Sequence, residues 1–355
     1  MIKQDHLQVY DLSLTTCGLL FIGCGKELPK KEYILNTRAD TVSFLDERKF
    51  FDLLIQYDLV DSFESFCMRA GGDLYQFLHQ TCKLTPEQVA PAVRYTIRAD
   101  GALDADHSLK KIQCFMRNAQ GQVYVPGSSV KGALRTALLY ARIAAEGRLH
   151  SQQTLRNKIP EETYLHTLNC TGNQRNAINS LMRGVQVSDS EPVANTAMTL
   201  ALKNDGFMDG GTKAIPICRE CIAPGVTMHC RLTLDQSILH NQITAESIMN
   251  AVNAFDRFYQ RTYARHFVAP HNSMQPGNRS VLFLGGGAGF FTKSLAYPYL
   301  GERQGLKFVA DMLTRKFNKH HHERDIQLGI SPHTMKYGKY RRGLQPFGAC
   351  EVSIR

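Results

Sequence analysis

Val125-Pro126-Gly127-Ser128-Ser129-Val130-Lys131-Gly132-Ala133-Leu134-Arg135-Thr136-Ala137-Leu138 reads as the end of a strand, a tight turn and the opening turns of a helix. Val123, Tyr124 and Val125 favour extended backbone, Pro126-Gly127 interrupts it, and the hydroxyl of Ser128 or Ser129 suits the N-cap, accepting from free helix amides. Val130, Ala133, Leu134, Ala137, Leu138 and Ala141 then recur at helical spacing and predict one buried face. Lys131, Arg135 and Arg142 fall along the edge of that face. A helix N-terminus carries unpaired N–H groups and a partial positive charge, so the junction suits a phosphate. A capped core helix with a solvated basic flank has the same spacing.

Upstream, residues 7–15 predict a first strand, followed by an apolar run that ends in the turn Gly23-Cys24-Gly25. Residues 41–45 predict another strand, after which Asp46 caps a helix to Gln56 with Phe50, Phe51, Leu54 and Ile55 buried. A second apolar rhythm breaks at Gly71-Gly72, and Thr85-Pro86-Glu87-Gln88 has a capping-box pattern, so residues 46–91 read as a helical insertion. Residues 92–99 and 112–116 return to strand. Downstream, residues 183–190 predict a strand ending in Val187-Ser188-Asp189-Ser190, and residues 214–222 and 226–234 predict a hairpin about Ala223-Pro224-Gly225. Thr244 opens a helix to Phe267 with Ile248, Val252, Phe255 and Phe258 inward and Arg257, Arg261 and Arg265 on a solvated row. Residues 279–284 form a strand leading into Gly285-Gly286-Gly287-Ala288-Gly289; residues 306–317 are helical and 348–354 a final strand.

The 355 residues allow two domains, drawn here as 1–235 and 236–355. With 43% hydrophobic and 21% charged residues this is the composition of a soluble globular chain. The 42 Lys and Arg against 32 Asp and Glu leave +10, a balance that favours a polyanionic partner. The chain shows no signal peptide and no membrane span, and its ten cysteines read as reduced core thiols in the cytoplasm.

Several motifs fail their chemistry. The loop at 285–289 is no Walker loop, because Thr292 precedes Lys293, and no dinucleotide fingerprint, because Phe290 stands where a glycine is required. Its glycines still permit close backbone approach to phosphates, with Lys293 as a point charge. Cys218, Cys221, His229 and Cys230 resemble zinc spacing, but on strands these side chains diverge, so no metal site is assigned. His320-His321-His322 reads as a solvated loop. Asp100, Asp104 and Asp106 do not make a calcium loop, since Leu109 and Phe115 replace the required glycine and glutamate. No hydrolase or metalloprotease signature appears, and no catalytic residue or cofactor is assigned.

Pro126 to Arg135 matches without a gap the PGSSxKGALR signature of the RAMP proteins, the RNA-binding subunits of CRISPR effector complexes. GVQVSDS at 184, the glycine loop and Ser331-Pro332-His333-Thr334-Met335-Lys336 extend the resemblance, which in length and order is similar to the fifth-subunit family of the type III-A Csm complex. The resemblance implies an α+β fold with an RRM-like, ferredoxin-type core, helical insertions and a second, degenerate α/β part. It implies a non-catalytic subunit capping the filament over the 3′ portion of crRNA and assisting its maturation. The implied partners are crRNA, target RNA indirectly, other Csm subunits and a host nuclease that trims crRNA. Expected RNA contacts are Gly127, Ser128, Ser129, Lys131, Arg135, Arg183, Gly285, Gly286, Gly287 and Lys293. Members that cut target RNA use an aspartate in the loop after the first strand; residues 26–40 offer Glu27, Glu32 and Asp40, none marked by a motif. A Csm or Cmr backbone subunit and a Cas6-type processing endoribonuclease share the signature or the fold, and a nucleotide-binding enzyme is a more distant alternative.

Overall fold

Strand β1 (Leu7–Thr16) forms where polar and apolar residues alternate, burying Leu12, Leu14 and Thr16. In this computed structural model, which describes residues 6–100, 102, 111–152, 159–268 and 280–355, β1 lies at the centre of a five-stranded antiparallel sheet. Its order is β11 (Val281–Phe283), β14 (Ala349–Ile354), β1, β10 (Thr227–Asp235) and β7 (Val185–Val187). Leu12 pairs with Cys230 on one side, and Leu14 with Val352 on the other. The helices Gly127–Glu146 and Ala245–Thr262 pack together beside this sheet, with Tyr140 4.9 Å from Phe258 and 5.5 Å from Phe255 between ring centroids.

A nine-stranded mixed sheet runs β2 (Gly23–Leu28), β6 (Lys111–Phe115), β9 (Thr212–Ile222), β8 (Met198–Phe207), β5 (Val93–Arg98), β4 (Thr41–Leu45) and β3 (Tyr33–Asn36). On β8 it also carries β12 (Thr334–Tyr340), which pairs with β13 (Gly343–Pro346). β6 lies parallel to β9, and β5 to β8. Both sheets draw strands from either side of residue 235, so the two segments drawn from sequence are hydrogen-bonded into the same sheets.

Local signals are realised closely. Asp46 caps Glu47–Gln56 by accepting from Lys49 N–H at 3.1 Å, and Thr85 and Gln88 form the capping box. The helices of this region enclose a separate small core of Phe50, Leu53, Leu54, Leu74, Phe77 and Leu78. Phe51 and Ile55 are instead 54% and 57% exposed, because Phe50, Leu53 and Leu54 are the residues that face this core.

Long-range pairing departs from the sequence reading. β9 and β10 do not form a hairpin: β9 bonds to β8 and β6, β10 to β1 and β7, and the chain crosses between sheets at Ala223-Pro224-Gly225, where Ala223 N–H reaches Ala197 O and Gly225 N–H reaches Thr16 O. Alternation identifies a strand without naming its partner. Val123 makes only isolated bridges, to Arg117 and Val193. Arg183 and Gly184 belong to a 3₁₀ turn rather than a strand, and Gly23-Cys24-Gly25 opens β2. Residues 26–40 hold the end of β2 and the whole of β3, joined and followed by turns, rather than one loop; Glu27 lies on β2, Glu32 in the turn before β3 and Asp40 in the turn after it. Asp104, Asp106, Leu109 and Arg279 lie outside the described residues.

Candidate nucleic-acid interface

The helix of the opening motif begins two or three residues earlier than its hydroxyls imply. Pro126 is the N-cap and has no side chain to accept a hydrogen bond, so Ser128 and Ser129 lie within the first turn rather than capping it. The cap comes from 62 residues away: Gly127 N–H donates to Asp189 Oδ1 at 2.8 Å. Val125 N–H donates to Ser190 Oγ, and Ser190 N–H to Val125 O, both at 2.9 Å. A Cβ on Gly127 would lie 2.2 Å from Val187 O and 2.5 Å from Ser188 O, so the glycine lets the helix start sit directly on that backbone. The PGSS and VSDS stretches are therefore one structure, and a carboxylate already holds the first of the amides expected for phosphate. Gly127→Ala should lower stability by about 2–3 kcal/mol in urea titration. Gly132→Ala, in the same helix with open space around it, should match or exceed wild type; equal stability of the Gly127 variant would show that this seam yields.

The bases along this helix differ in what they have left to offer. Arg135 is ion-paired with Glu161, Arg142 donates to Tyr164 O at 3.0 Å, and Arg183 donates to Ile178 O at 2.7 Å. Lys131 is half-buried and has no ion pair among the described residues. Lost hydration, and then the Arg135 charge, hold its ammonium below the usual lysine range. An incoming anion would relieve both.

The glycine loop is built onto the chain after β1. Gly286 N–H donates to Phe21 O at 2.7 Å, and Lys293 Nζ reaches back to Gly285 O at 2.6 Å. Beneath the loop, the Arg219 guanidinium lies between the rings of Phe21 and Phe347, at 4.7 and 5.2 Å from their centroids. Its Nε donates to Gln113 Oε1 at 2.9 Å, while Nη1 is buried without a hydrogen-bond partner. A Cβ on Gly287 would fall 2.3 Å from that Nη1. On the neighbouring strand, Lys203 is two residues from Ala201, the β-pair of Arg219, and Lys336 on β12 pairs with Asp205 at 2.8 Å. Burial first and the Arg219 charge second depress Lys293; burial, Arg219 and Lys336 depress Lys203. Lys203, Arg219 and Lys336 thus gather around the Asp205 carboxylate, and Lys293 adjoins Arg219 from the glycine loop, an arrangement suited to a polyanion.

The two stations do not merge. β7 and β11 are opposite edges of the five-stranded sheet and run parallel to β1, so the Ser188-Asp189-Ser190 corner and the glycine loop both follow the C-terminal ends of their strands. Four strand spacings separate these edges, roughly 19 Å at about 4.8 Å each. One extended chain could touch both; one small ligand could not.

Sequence reasoning missed Asp189 as the cap and Lys203 and Lys336 as part of the cluster, and it met Arg219 only inside the cysteine motif. Asp189 and Lys336 stand within quoted motifs and Lys203 in none, but their partners come from separate strands, which the local string does not show. Cys218, Cys221 and Cys230 are buried core thiols; Cys218 Sγ lies 3.8 Å from Ala102 O, and burial pushes the Cys230 thiol up to about 11. Among the described residues, no helix is long and apolar enough to cross a membrane.

Comparison with known proteins agrees with this architecture. A protein named CRISPR system Cms protein Csm5 from Mycobacterium tuberculosis is 26% identical over 379 residues, covering 99% of this chain and 98% of its own. A protein of the same name from Enterococcus italicus is 26% identical over 87% of this chain and 86% of its own. Among solved structures, a chain in a cryo-EM structure of a Csm–crRNA–target RNA ternary complex of a type III-A CRISPR-Cas system superposes with a TM-score of 0.69 at 17% identity, covering 97% of this chain and all of that one. The crystal structure of T. onnurineus Csm5 gives 0.63, also at 17% identity, covering 96% of this chain and 99% of that one. The model of the RAMP superfamily matches residues 13–348, nearly the whole chain, and the protein belongs to that superfamily.

Proposed function

We propose that this chain is the Csm5-type subunit of a type III-A CRISPR effector, a cytoplasmic protein that holds the 3′ portion of crRNA and assists its maturation without supplying the cutting chemistry. The full-length likeness to relatives of that name supports the assignment of subunit. The observation that carries RNA binding is the run of cations that starts with Lys293 and Arg219 at the glycine loop and continues through Lys203 to Lys336, with Lys131 as a second, separate cation. Phosphate contacts fix the position of a strand without reading its bases, which suits a subunit that must accept many guides. We read β1, the 127–146 helix, β7, β10, the 245–262 helix and β14 as a ferredoxin-type βαββαβ core, supported by the sheet order β14-β1-β10-β7. β12 and β13, carried on the nine-stranded sheet, would then belong to the second α/β part, while β11 extends the core sheet beside β14.

Lys131→Ala should weaken binding of unrelated guide RNAs to a similar degree and flatten the dependence of log K on log salt by about 0.7. Arg135→Ala should do less, because Glu161 already balances that charge. Affinity and slope unchanged in Lys131→Ala would remove the helix start from the RNA path. Purified protein incubated with repeat RNA in EDTA should leave it uncut, whereas specific cleavage would favour a Cas6-type enzyme.

A further inference from the structure

The triple histidine is not wholly solvated as its sequence suggests. His320 and His321 are exposed, but His322 turns inward and is only 6% exposed. Its Nδ1 lies 3.0 Å from Oδ2 of Asp325, a fully buried carboxylate, and His333 directs its Nδ1 at the other oxygen, Oδ1. The donor atoms of His322, Asp325 and His333 all lie within 4.8 Å of one another. We propose that these three residues form a structural binding site for a first-row divalent metal, with zinc as the resident ion.

Three observations carry this. Two imidazoles and a carboxylate form the mixed N/O set that zinc takes, whereas calcium and magnesium prefer oxygen donors. Among the described residues no lysine or arginine pairs with Asp325, so a divalent ion would supply the positive charge that a buried carboxylate needs. The carboxylate is also held from behind, as metal ligands are: Ser331 Oγ donates to Asp325 Oδ2, and Ser331 is fixed by Tyr297, whose hydroxyl accepts from Ser331 N–H at 2.9 Å and donates to Ser331 O at 3.0 Å. With one water the three side chains complete a tetrahedral set. The ion would tie the turn at His322 and the helix start at Asp325 to the entry of β12, the strand that carries Lys336. A cluster held by hydrogen bonds alone is the competing account.

The test uses the full chain, purified, stripped with a chelator and titrated with Zn(II) or Co(II). Zinc should bind at one equivalent per chain and raise Tm by at least about 4 °C. Cobalt should give visible ligand-field absorption without the near-ultraviolet thiolate band that binding at Cys218, Cys221 or Cys230 would produce. Asp325→Asn and His333→Gln should each abolish both effects. His333 is partly exposed and its variant should fold even where Asp325→Asn does not, while the cobalt titration of wild type needs no variant. Wild type with no cobalt spectrum and a Tm indifferent to zinc, or a thiolate band, or metal retained by His333→Gln, overturns the site.

Discussion

A Gly285→Ala variant should lose about 4 kcal/mol of stability, and Gly289→Ala, four residues along the same loop, only about 1–2 kcal/mol. Both glycines have positive φ, +69° and +92°, so any side chain there strains the backbone. They differ in their surroundings. A Cβ on Gly285 would meet Phe21 O at 2.1 Å and Ile22 Cγ1 at 3.1 Å, whereas nothing lies within 4 Å of one on Gly289. Phe21 O cannot retreat cheaply, because it accepts from Gly286 N–H and anchors the loop to the chain after β1. The excess of the first variant over the second in urea unfolding therefore measures the contact of loop and backbone. Equal losses would mean that conformational strain accounts for both and that the loop is not wedged against Phe21. Gly285 and Gly286 are thus bound into the fold, leaving Lys293 and the cations beneath the loop to meet a ligand.

The largest functional effect is expected from the double substitution Lys203→Gln, Lys293→Gln. Glutamine keeps most of the aliphatic stem, so the change is mainly the loss of two charges. Each charged hydrogen bond to a phosphate is worth roughly 1.5–3 kcal/mol, so together the two should reduce affinity for single-stranded RNA by about a hundredfold or more. The salt slope should become shallower by about 1.4, from roughly 0.7 per phosphate neutralised on a single strand. Double replacement by arginine should retain most of the affinity. Arg257→Gln with Arg261→Gln is the matched control: both arginines are exposed on the 245–262 helix, away from the glycine loop in sequence, and their loss should change binding little. A control that weakens binding as much as the lysine pair would show that net charge alone holds the RNA, and the proposed location would fall.

Much of the local structure was legible. Asp46 before an apolar repeat, Thr85-Pro86 before Gln88 and the break at Gly71-Gly72 each act through backbone groups within a few residues, and the helices begin or end where those signals stand. The inward residues Ile248, Val252, Phe255 and Phe258 follow from helical period alone. Of the expected contact residues, Lys131 keeps an ammonium without an ion pair, whereas Arg135 and Arg183 turn to Glu161 and Ile178 O. That difference has no trace in the string, because Glu161 lies 26 residues beyond Arg135 and nothing between them signals the pairing.

By itself, then, the sequence determined where several helices and strands lie, the inward face of the 245–262 helix, and that a basic, glycine-punctuated chain resembles the RAMP superfamily. These depend on φ/ψ preference, capping and periodicity, all short in range. Tertiary structure alone decided that β9 and β10 enter different sheets, that Asp189 caps the motif helix, that Arg219 lies beneath the glycine loop beside Lys203 and Lys293, and that His322 and His333 close on Asp325. The reason is physical: strand partners, burial and the electrostatic state of a side chain are set by neighbours in space, and here those neighbours come from strands and turns far apart along the chain.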